Sequence, residues 1–232
     1  MALVEKRAKA WRFLFAPIGL LAAVSVAAAT PIIQLDFLAT PANSTENTGV
    51  SGRLTLSFTE NAGVDYLTLT IANTTPIAMG SKLTAVGMEM PDELATLPVF
   101  APGGTGAYFT RLNNNVTVSP PWMNAPGGYD LMITSDGSFE GGGPNGAPAA
   151  GEEHTVVLSL GSTTKSPEEW AGIFNEFYLQ TADYYTIARF QAVGPDAEDS
   201  DKVLGTHTPE PATLVFLALT SLVYWKPRMR VR

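Results

Sequence analysis

The sequence predicts an all-β protein built from short antiparallel strands. Of its 232 residues, 45% are apolar and 16% are charged, which is enough apolar material for a buried core. Glycine and proline number 21 + 17 = 38, about 16% of the chain, which is above average usage but below that of low-complexity sequence. Several segments alternate apolar and polar residues, and turn residues rather than helical crossovers separate them. These observations favour a turn-rich β domain and disfavour both disorder and a parallel α/β fold.

The first two strands are predicted to form an antiparallel hairpin. Residues 50–60 and 66–73 both alternate with period two, and the turn residues Asn61-Ala62-Gly63 lie between them. Because successive side chains of a strand point to opposite faces, only one face of each strand is apolar. The two apolar faces consist of Leu54, Leu56, Phe58, Leu67, Leu69 and Ile71.

Five more segments carry the strand pattern. They are residues 82–90, 114–119, 129–134, 154–160 and 184–192. Seven or so short strands with Gly- and Pro-rich turns suit an antiparallel β-sandwich of jelly-roll or immunoglobulin-like type. The predicted sandwich domain spans residues 30–195.

One short helix interrupts the strand pattern. Ser166 is a suitable N-cap, Pro167 suits the first helical position, and Glu169 can complete a capping box. The helix is expected to end near Asn175, with Trp170, Ile173 and Phe174 on its buried face. The alternative for Trp170 is a ring that stacks on a ligand.

The N-terminus has the three parts of a secretory signal peptide. Basic residues precede an uncharged run at 13–27, and the small residues Ala27-Ala28-Ala29 end it. Fifteen helical residues span only about 22 Å, which is short of a bilayer core of about 30 Å, so a retained anchor is disfavoured. We expect residues 1–29 to form a signal helix that is cleaved between Ala29 and Thr30, with Ala27 and Ala29 as the small residues of the cleavage site.

The C-terminus repeats these parts in a different order. Pro209, Glu210 and Pro211 precede the apolar run 212–225, and four of the last seven residues are basic. Tyr224 and Trp225 suit a membrane interface, so a short transmembrane helix with a cytoplasmic basic tail is predicted. A buried C-terminal strand or helix is the alternative.

This order of parts resembles the C-terminal signal of the bacterial PEP-CTERM proteins. The resemblance covers residues 209–232, with Pro209, Glu210 and Pro211 as the sorting motif. It implies processing by a membrane enzyme of the exosortase class after signal peptidase has removed the N-terminus. It also implies transient anchoring in the inner membrane, followed by residence at the cell surface or outside the cell.

The charge distribution argues against nucleic-acid binding. Residues 30–208 contain six cations and twenty acids, a net charge of 6 − 20 = −14, compared with −8 for the whole chain. Such a surface repels phosphate backbones. The absence of cysteine excludes disulfides and thiol catalysis, and two histidines leave little material for histidine-based metal sites.

The sequence contains only a few candidates for a ligand or metal site. Trp122 follows two prolines and could present its indole for stacking on a sugar. Residues 196–208 are predicted to be an acidic spacer between the domain and the sorting segment. No cofactor is expected, and the alternative is that the acidic residues of this spacer bind calcium. The calcium candidates are Asp196, Glu198, Asp199 and Asp201.

No catalytic residue can be assigned from the sequence. His154 and His207 are the histidines that a serine hydrolase would need, and twenty acids offer many carboxylate pairs without showing their separation. We therefore expect a non-enzymatic, exported protein of the cell surface or extracellular matrix, with extracellular polysaccharide as a candidate partner. The alternatives are a lectin-like carbohydrate-binding module and a secreted hydrolase that uses carboxylates.

Overall fold

The structure is a computed structural model that describes residues 32–118, 128–140, 142–180 and 185–208. It contains eleven strands and one helix in these ranges. The strands are β1 (Ile32–Leu38), β2 (Ser51–Asn61), β3 (Val64–Asn73), β4 (Lys82–Met88), β5 (Val99–Phe100), β6 (Arg111–Val116), β7 (Tyr129–Thr134), β8 (Glu153–Gly161), β9 (Thr186–Val193), β10 (Asp199–Leu204) and β11 (Thr206–Thr208). The helix α1 (Pro167–Gln180) lies between β8 and β9.

The strands form two antiparallel sheets. The larger has six strands in the order β11-β1-β2-β3-β8-β5, and the smaller has five in the order β10-β9-β4-β7-β6. All of the pairings between these strands are antiparallel. The predicted class of mostly antiparallel β protein with one short helix is therefore confirmed.

The hairpin of β2 and β3 has the predicted register. Leu56 lies opposite Leu69, and the remaining apolar residues of both strands face each other in the same way. The turn consists of Ala62 and Gly63, whose φ angles of 52° and 77° are typical of a two-residue type I′ turn. Glu60 accepts the backbone N–H of Gly63 and closes this turn.

Both sheets contribute to one apolar core. Residues of β1, β2, β3 and β8 in the larger sheet pack with residues of β4, β7, β9 and β10 in the smaller one. The core members of the β2–β3 hairpin are at most 1% exposed. A second, smaller cluster contains Tyr129, Met132 and Phe139. The hydrophobic effect therefore holds the two sheets together through their shared side chains.

Helix α1 begins as predicted but continues five residues further. Ser166 Oγ accepts the N–H of Glu169 at 3.2 Å, and the Glu169 carboxylate accepts the N–H of Ser166 at 2.6 Å, which completes the capping box. Trp170, Phe174 and Tyr178 follow at a spacing of four residues and are all buried. Because this aromatic face extends beyond Asn175, the helix gains burial by continuing to Gln180.

The prediction of an acidic spacer at residues 196–208 is wrong where it covers two strands. β10 pairs with β9, and β11 pairs with β1. Asp201 lies in this segment among buried residues that include Val203 and Leu204. The strand β10 is hard to recognise in the sequence because its buried residue Asp201 is charged. Asp201 can be buried only because residues 44–48, in another part of the chain, donate hydrogen bonds to it.

Several predicted segments fall outside the residues that the structure describes. These are the signal segment, the sorting segment and the loop that contains Trp122. Within the described ranges, no helix has the length and apolar content required to cross a membrane.

The register of the hairpin can be tested by replacing Leu69 with Ala. Leu69 is fully buried, so this change should lower the free energy of unfolding by about 2–5 kcal/mol, as measured by denaturant titration of the full chain. The matched control is Thr68→Ala on the opposite face of β3, which should cost about 1 kcal/mol or less. Equal effects of the two changes would contradict the register.

Candidate functional site

The described part of the chain contains some of the sequence-predicted site residues. The acidic candidates Asp196, Glu198, Asp199 and Asp201 are present, as are His154 and His207. The remaining candidates lie outside the described residues: Ala27, Ala29, Thr30, Trp122, Pro209, Glu210 and Pro211. Their proposed roles stay predictions.

Asp201 is a buried structural carboxylate. It is 1% exposed and accepts hydrogen bonds from six donor groups of residues 44–48 at distances of 2.8–3.1 Å. The donors are the hydroxyls of Ser44, Thr45 and Thr48 and the backbone N–H groups of Thr45, Glu46 and Thr48. This carboxylate therefore attaches the β1–β2 connection to β10, and a cation would have to displace several of these donors.

The hydrogen bonds also determine the charge state of Asp201. Burial by itself would raise the pKa of this carboxyl group. The hydrogen bonds from Thr48, Ser44 and Glu46 outweigh that effect and lower the pKa below its ordinary value. Asp201 is therefore ionised in the folded protein, and its charge is compensated by dipoles rather than by a cation.

The other acidic candidates do not gather around Asp201. Asp196, Glu198 and Asp199 are exposed, and the turn at residues 194–197 precedes the first residue of β10. No group of three or more His, Asp or Glu side chains that could hold a metal ion occurs among the described residues. Calcium binding by the exposed members of this run remains a prediction.

A different pair of carboxyl groups lies on the smaller sheet. Glu89 follows β4 and Asp130 belongs to β7, and the last register pair of these strands is Met88 with Leu131. The next pair in this register is Glu89 with Asp130, so their side chains start from neighbouring positions on the two strands. Asp130 Oδ2 accepts the N–H of Met90 at 2.9 Å, which holds the carboxyl group against the end of β4. We call Glu89 and Asp130 the carboxyl pair.

The carboxyl pair retains a proton at neutral pH. Burial is the largest cause, followed by the hydrogen bond and the charge of Asp130, and together they raise the pKa of Glu89 to about 8. Glu89 Oε1 is buried, and no N–H or O–H donor among the described residues reaches it. A nearby negative charge disfavours the ionised form of a carboxyl group, so the charge of Asp130 adds to the effect of burial on Glu89.

Two buried tyrosines lie close to the carboxyl pair. Tyr178 from α1 donates a hydrogen bond of 2.7 Å to the backbone carbonyl of Glu89. Tyr129 is 1% exposed, and its hydroxyl has no hydrogen-bond partner among the described residues. Burial, followed by the charge of Glu89, raises the pKa of Tyr129, so its hydroxyl remains neutral within electrostatic reach of the pair.

A polar groove lies at the start of α1. It is a cavity of about 390 Å³ between residues 93–96 and 160–165, with Trp170 in its lining. Trp170 is 2% exposed, its indole N–H donates to Thr163 at 3.2 Å, and the Lys165 ammonium lies 5.5 Å from the ring centroid. The predicted core role of Trp170 is thus confirmed, and its ring is not presented for stacking.

The two histidines occupy separate positions. The His154 ring packs edge-on against Phe109, with centroids 6.0 Å apart. His207 Nε2 lies 3.1 Å from Asn175 Oδ1, which links β11 to α1. Neither histidine belongs to the carboxyl pair.

The carboxyl pair has no signature in the amino-acid sequence. Glu89 and Asp130 are far apart in the chain, and neither lies in a motif. The one signal that could have identified them is the pairing of β4 with β7, which places the strands that carry them side by side. That pairing joins strands that are not consecutive, so it cannot be read from the sequence pattern.

Comparisons of the chain with protein-family models, with curated proteins and with solved structures found no match. The candidate sites are therefore interpreted from their own geometry and chemistry.

Replacing Asp201 with Asn should destabilise the protein in a pH-dependent way. At pH 7 the change should lower the free energy of unfolding by about 1–3 kcal/mol, because the buried donors lose a charged acceptor. The folded-state pKa lies below the unfolded value of about 3.9, so this contribution is present above about pH 4 and is lost as the pH falls through the folded-state pKa. Denaturant titrations should therefore show the two proteins converging in strong acid.

The exposed neighbour Asp199 provides the matched control for this prediction. Asp199→Asn should change the free energy of unfolding by about 0.5 kcal/mol or less. The difference in free energy of unfolding between wild type and Asp201→Asn should be smaller at about pH 2.5 than at pH 7. If the difference is the same at both pH values, the donors do not stabilise the negative charge of Asp201.

Proposed function

We propose that this protein is an exported, non-enzymatic component of the cell surface or extracellular matrix, released from a membrane precursor by processing at both ends. The processing enzymes are signal peptidase and an exosortase-class enzyme that acts at Pro209-Glu210-Pro211. The finer fold that goes with this proposal is a β-sandwich of jelly-roll or immunoglobulin-like type, supported by the apolar core that the two sheets share.

The observation that carries this proposal is the position at which both ends of the chain leave the fold. β1 begins at Ile32, just after the predicted signal peptide, and β11 ends at Thr208, just before the sorting motif. These strands are antiparallel neighbours, and Gln34 lies opposite Thr208. Since paired strands are about 4.8 Å apart, the start of β1 and the end of β11 lie side by side at the same end of the larger sheet. This arrangement is compatible with two segments that insert into one membrane.

The surface of the described residues supports association with charged material outside the cell. Fourteen carboxylate side chains are exposed, whereas Arg111 is the one exposed cation in this part of the chain. Three of the other cations are in ion pairs: Arg53 with Asp36, and both Arg189 and Lys202 with Glu140. A surface with this charge keeps the domain soluble and can be bridged by divalent cations to an anionic polysaccharide.

Processing can be tested by expressing the full chain beside two variants. The first variant ends at Thr208, and the second carries Pro209→Ala and Pro211→Ala but keeps the apolar run and the basic tail. Mass spectrometry of the exported full chain should find neither a peptide that spans Ala29 and Thr30 nor one that reaches Arg232. The shortened chain should appear in the medium, whereas the motif variant should remain in the inner membrane. An exported form with both ends intact would contradict the proposal.

Association can be tested with purified protein and isolated cell-surface material. Binding should depend on divalent cations and weaken with monovalent salt, because the contact is screened over a Debye length of about 8–10 Å. Salt-insensitive binding that Trp122→Ala abolishes would favour the lectin-like alternative. Turnover of an ester, peptide or glycoside that is lost in Glu89→Gln or Asp130→Asn would favour a hydrolase.

A further inference from the structure

We propose that the outer face of the larger sheet binds a single extended chain of an uncharged polysaccharide, which lies across the strands β2, β3 and β8. The contact surface consists of six serine and threonine side chains, which we call the hydroxyl face. They are Thr55, Ser57, Thr59, Thr68, Thr70 and Thr155. In the organism, contact with such a polymer rests on the export proposed above, but binding itself does not.

The hydroxyl face results from the side-chain period of two in the strands. On β2 and β3 every second residue is buried in the core, and the residues between them are half-buried or exposed. The register places Thr55 opposite Thr70, and Thr70 opposite Thr155 on β8. It also places Ser57 opposite Thr68. The hydroxyl side chains therefore form rows that run across the strands.

A second, independent observation is that these hydroxyls are not used inside the protein. Among the described residues, none of the six hydroxyls forms a hydrogen bond with another protein group. Other threonines of the chain do make such bonds: Thr45 and Thr48 donate to Asp201, and Thr163 donates to Asp65. The hydroxyls of the face are thus available to an external ligand, each as one donor and two acceptors.

The charge of the hydroxyl face selects the kind of ligand. None of its six residues is charged, although fourteen carboxylates are exposed in the described part of the chain. Arg53 is the one lysine or arginine of β2, β3 and β8, and its Nε is already paired with Asp36 Oδ1 at 2.6 Å. An anionic polymer would therefore find no free cation on these strands, and two copies of this acidic domain repel each other. An uncharged ligand rich in hydroxyl groups fits the face best, and a neutral polysaccharide has this chemistry.

The spacing within a row suits one sugar unit per strand. Paired strands are about 4.8 Å apart, which is close to the length of one sugar unit in an extended chain. The row of Thr55, Thr70 and Thr155 continues on β1 with Gln34, which lies opposite Thr55. One row therefore offers polar side chains to four successive sugars. Adjacent strands also twist by about 20–25°, so a single flexible chain can follow the row, whereas a flat crystalline surface cannot.

The neighbouring rows supply the apolar contacts that sugar rings also make through their C–H groups. Val157 lies opposite Thr68, and Tyr66 lies opposite Thr59. The Val157 and Tyr66 side chains are half-buried, and tyrosine combines an apolar ring with a hydroxyl group. The surface can thus contact both the hydroxyl groups and the C–H groups of a sugar.

The test is calorimetric titration of the full chain with three neutral, extended hexasaccharides: cellohexaose, mannohexaose and chitohexaose. The chain is purified in a detergent without a sugar headgroup, so that the detergent does not compete. We expect at least one hexasaccharide to bind, with an affinity at least about tenfold higher than that of its disaccharide, which reaches only two strands. Binding should persist in about 0.5 M NaCl and in the presence of a chelator, because no charged group takes part.

Variants locate the binding site on the hydroxyl face. Thr55→Val/Thr70→Val removes two hydroxyls of one row but keeps β-branched side chains, so the sheet should fold with a similar melting temperature. Because each neutral hydrogen bond accounts for roughly a 2- to 10-fold change in affinity, this variant should bind about 4- to 100-fold more weakly. Thr55→Ser/Thr70→Ser keeps both hydroxyls and should retain most of the affinity. The control Thr96→Val/Thr164→Val removes two exposed hydroxyls from the polar groove beside α1 and should bind like the wild type.

Three results would overturn the proposal. They are the absence of binding of all three hexasaccharides at millimolar concentration, binding that monovalent salt or a chelator abolishes, and binding that is lost in the control but kept in Thr55→Val/Thr70→Val. None of these results bears on whether the chain is processed at residues 29 and 209, so the site and the proposed function fail separately.

Discussion

The apolar face of the β2–β3 hairpin must be covered for the protein to fold. Its six inward-facing apolar side chains are essentially unexposed, and they can be buried only if a second layer covers them. Helix α1 covers part of this face, where the ring centroids of Phe174 and Phe58 are 5.0 Å apart. The smaller sheet contributes to the same core. Because the side-chain period of a strand is two, a slip of one residue would expose this whole set. The positions of the other elements follow from the need to cover it.

Polar groups then connect elements that the core alone would not align. Asp201 joins the connection between β1 and β2 to β10, and Arg189 donates to the carbonyls of Phe139 and Glu140 in the segment that follows β7. Gly104 lets the connection after β5 approach β8 closely, because it has no side chain. A Cβ at this position would lie 2.2 Å from the carbonyl oxygen of Val157. The backbone bond from Val157 N–H to the Gly104 carbonyl depends on that close approach. These contacts attach long connections to the sheets.

The Asp201 side chain and Glu89 Oε1 are both removed from solvent, but the two carboxyl groups differ in charge state. A buried carboxylate must either remain charged with enough donors around it or become neutral. Asp201 follows the first course, with six donor groups from one loop. Glu89 follows the second, because burial, together with the interaction with Asp130, raises its pKa to about 8. The first arrangement makes a structural contact, and the second leaves a carboxyl group that is neutral near pH 7.

Local sequence patterns are sufficient to predict the features that depend on neighbouring residues. The hairpin register, its turn at Ala62-Gly63, the capping box at Ser166 and the burial of Trp170 all follow from alternation, turn chemistry and helical spacing, which act over a few residues. The targeting segments were also predicted from local pattern, and they stay predictions. The folded structure is needed to show that β10 and β11 belong to the sheets, that β1 lies beside β11, and that Glu89 and Asp130 occupy neighbouring positions. Each of these depends on pairing between distant strands, and the free energy of such pairing comes from surfaces that exist only after the chain has folded.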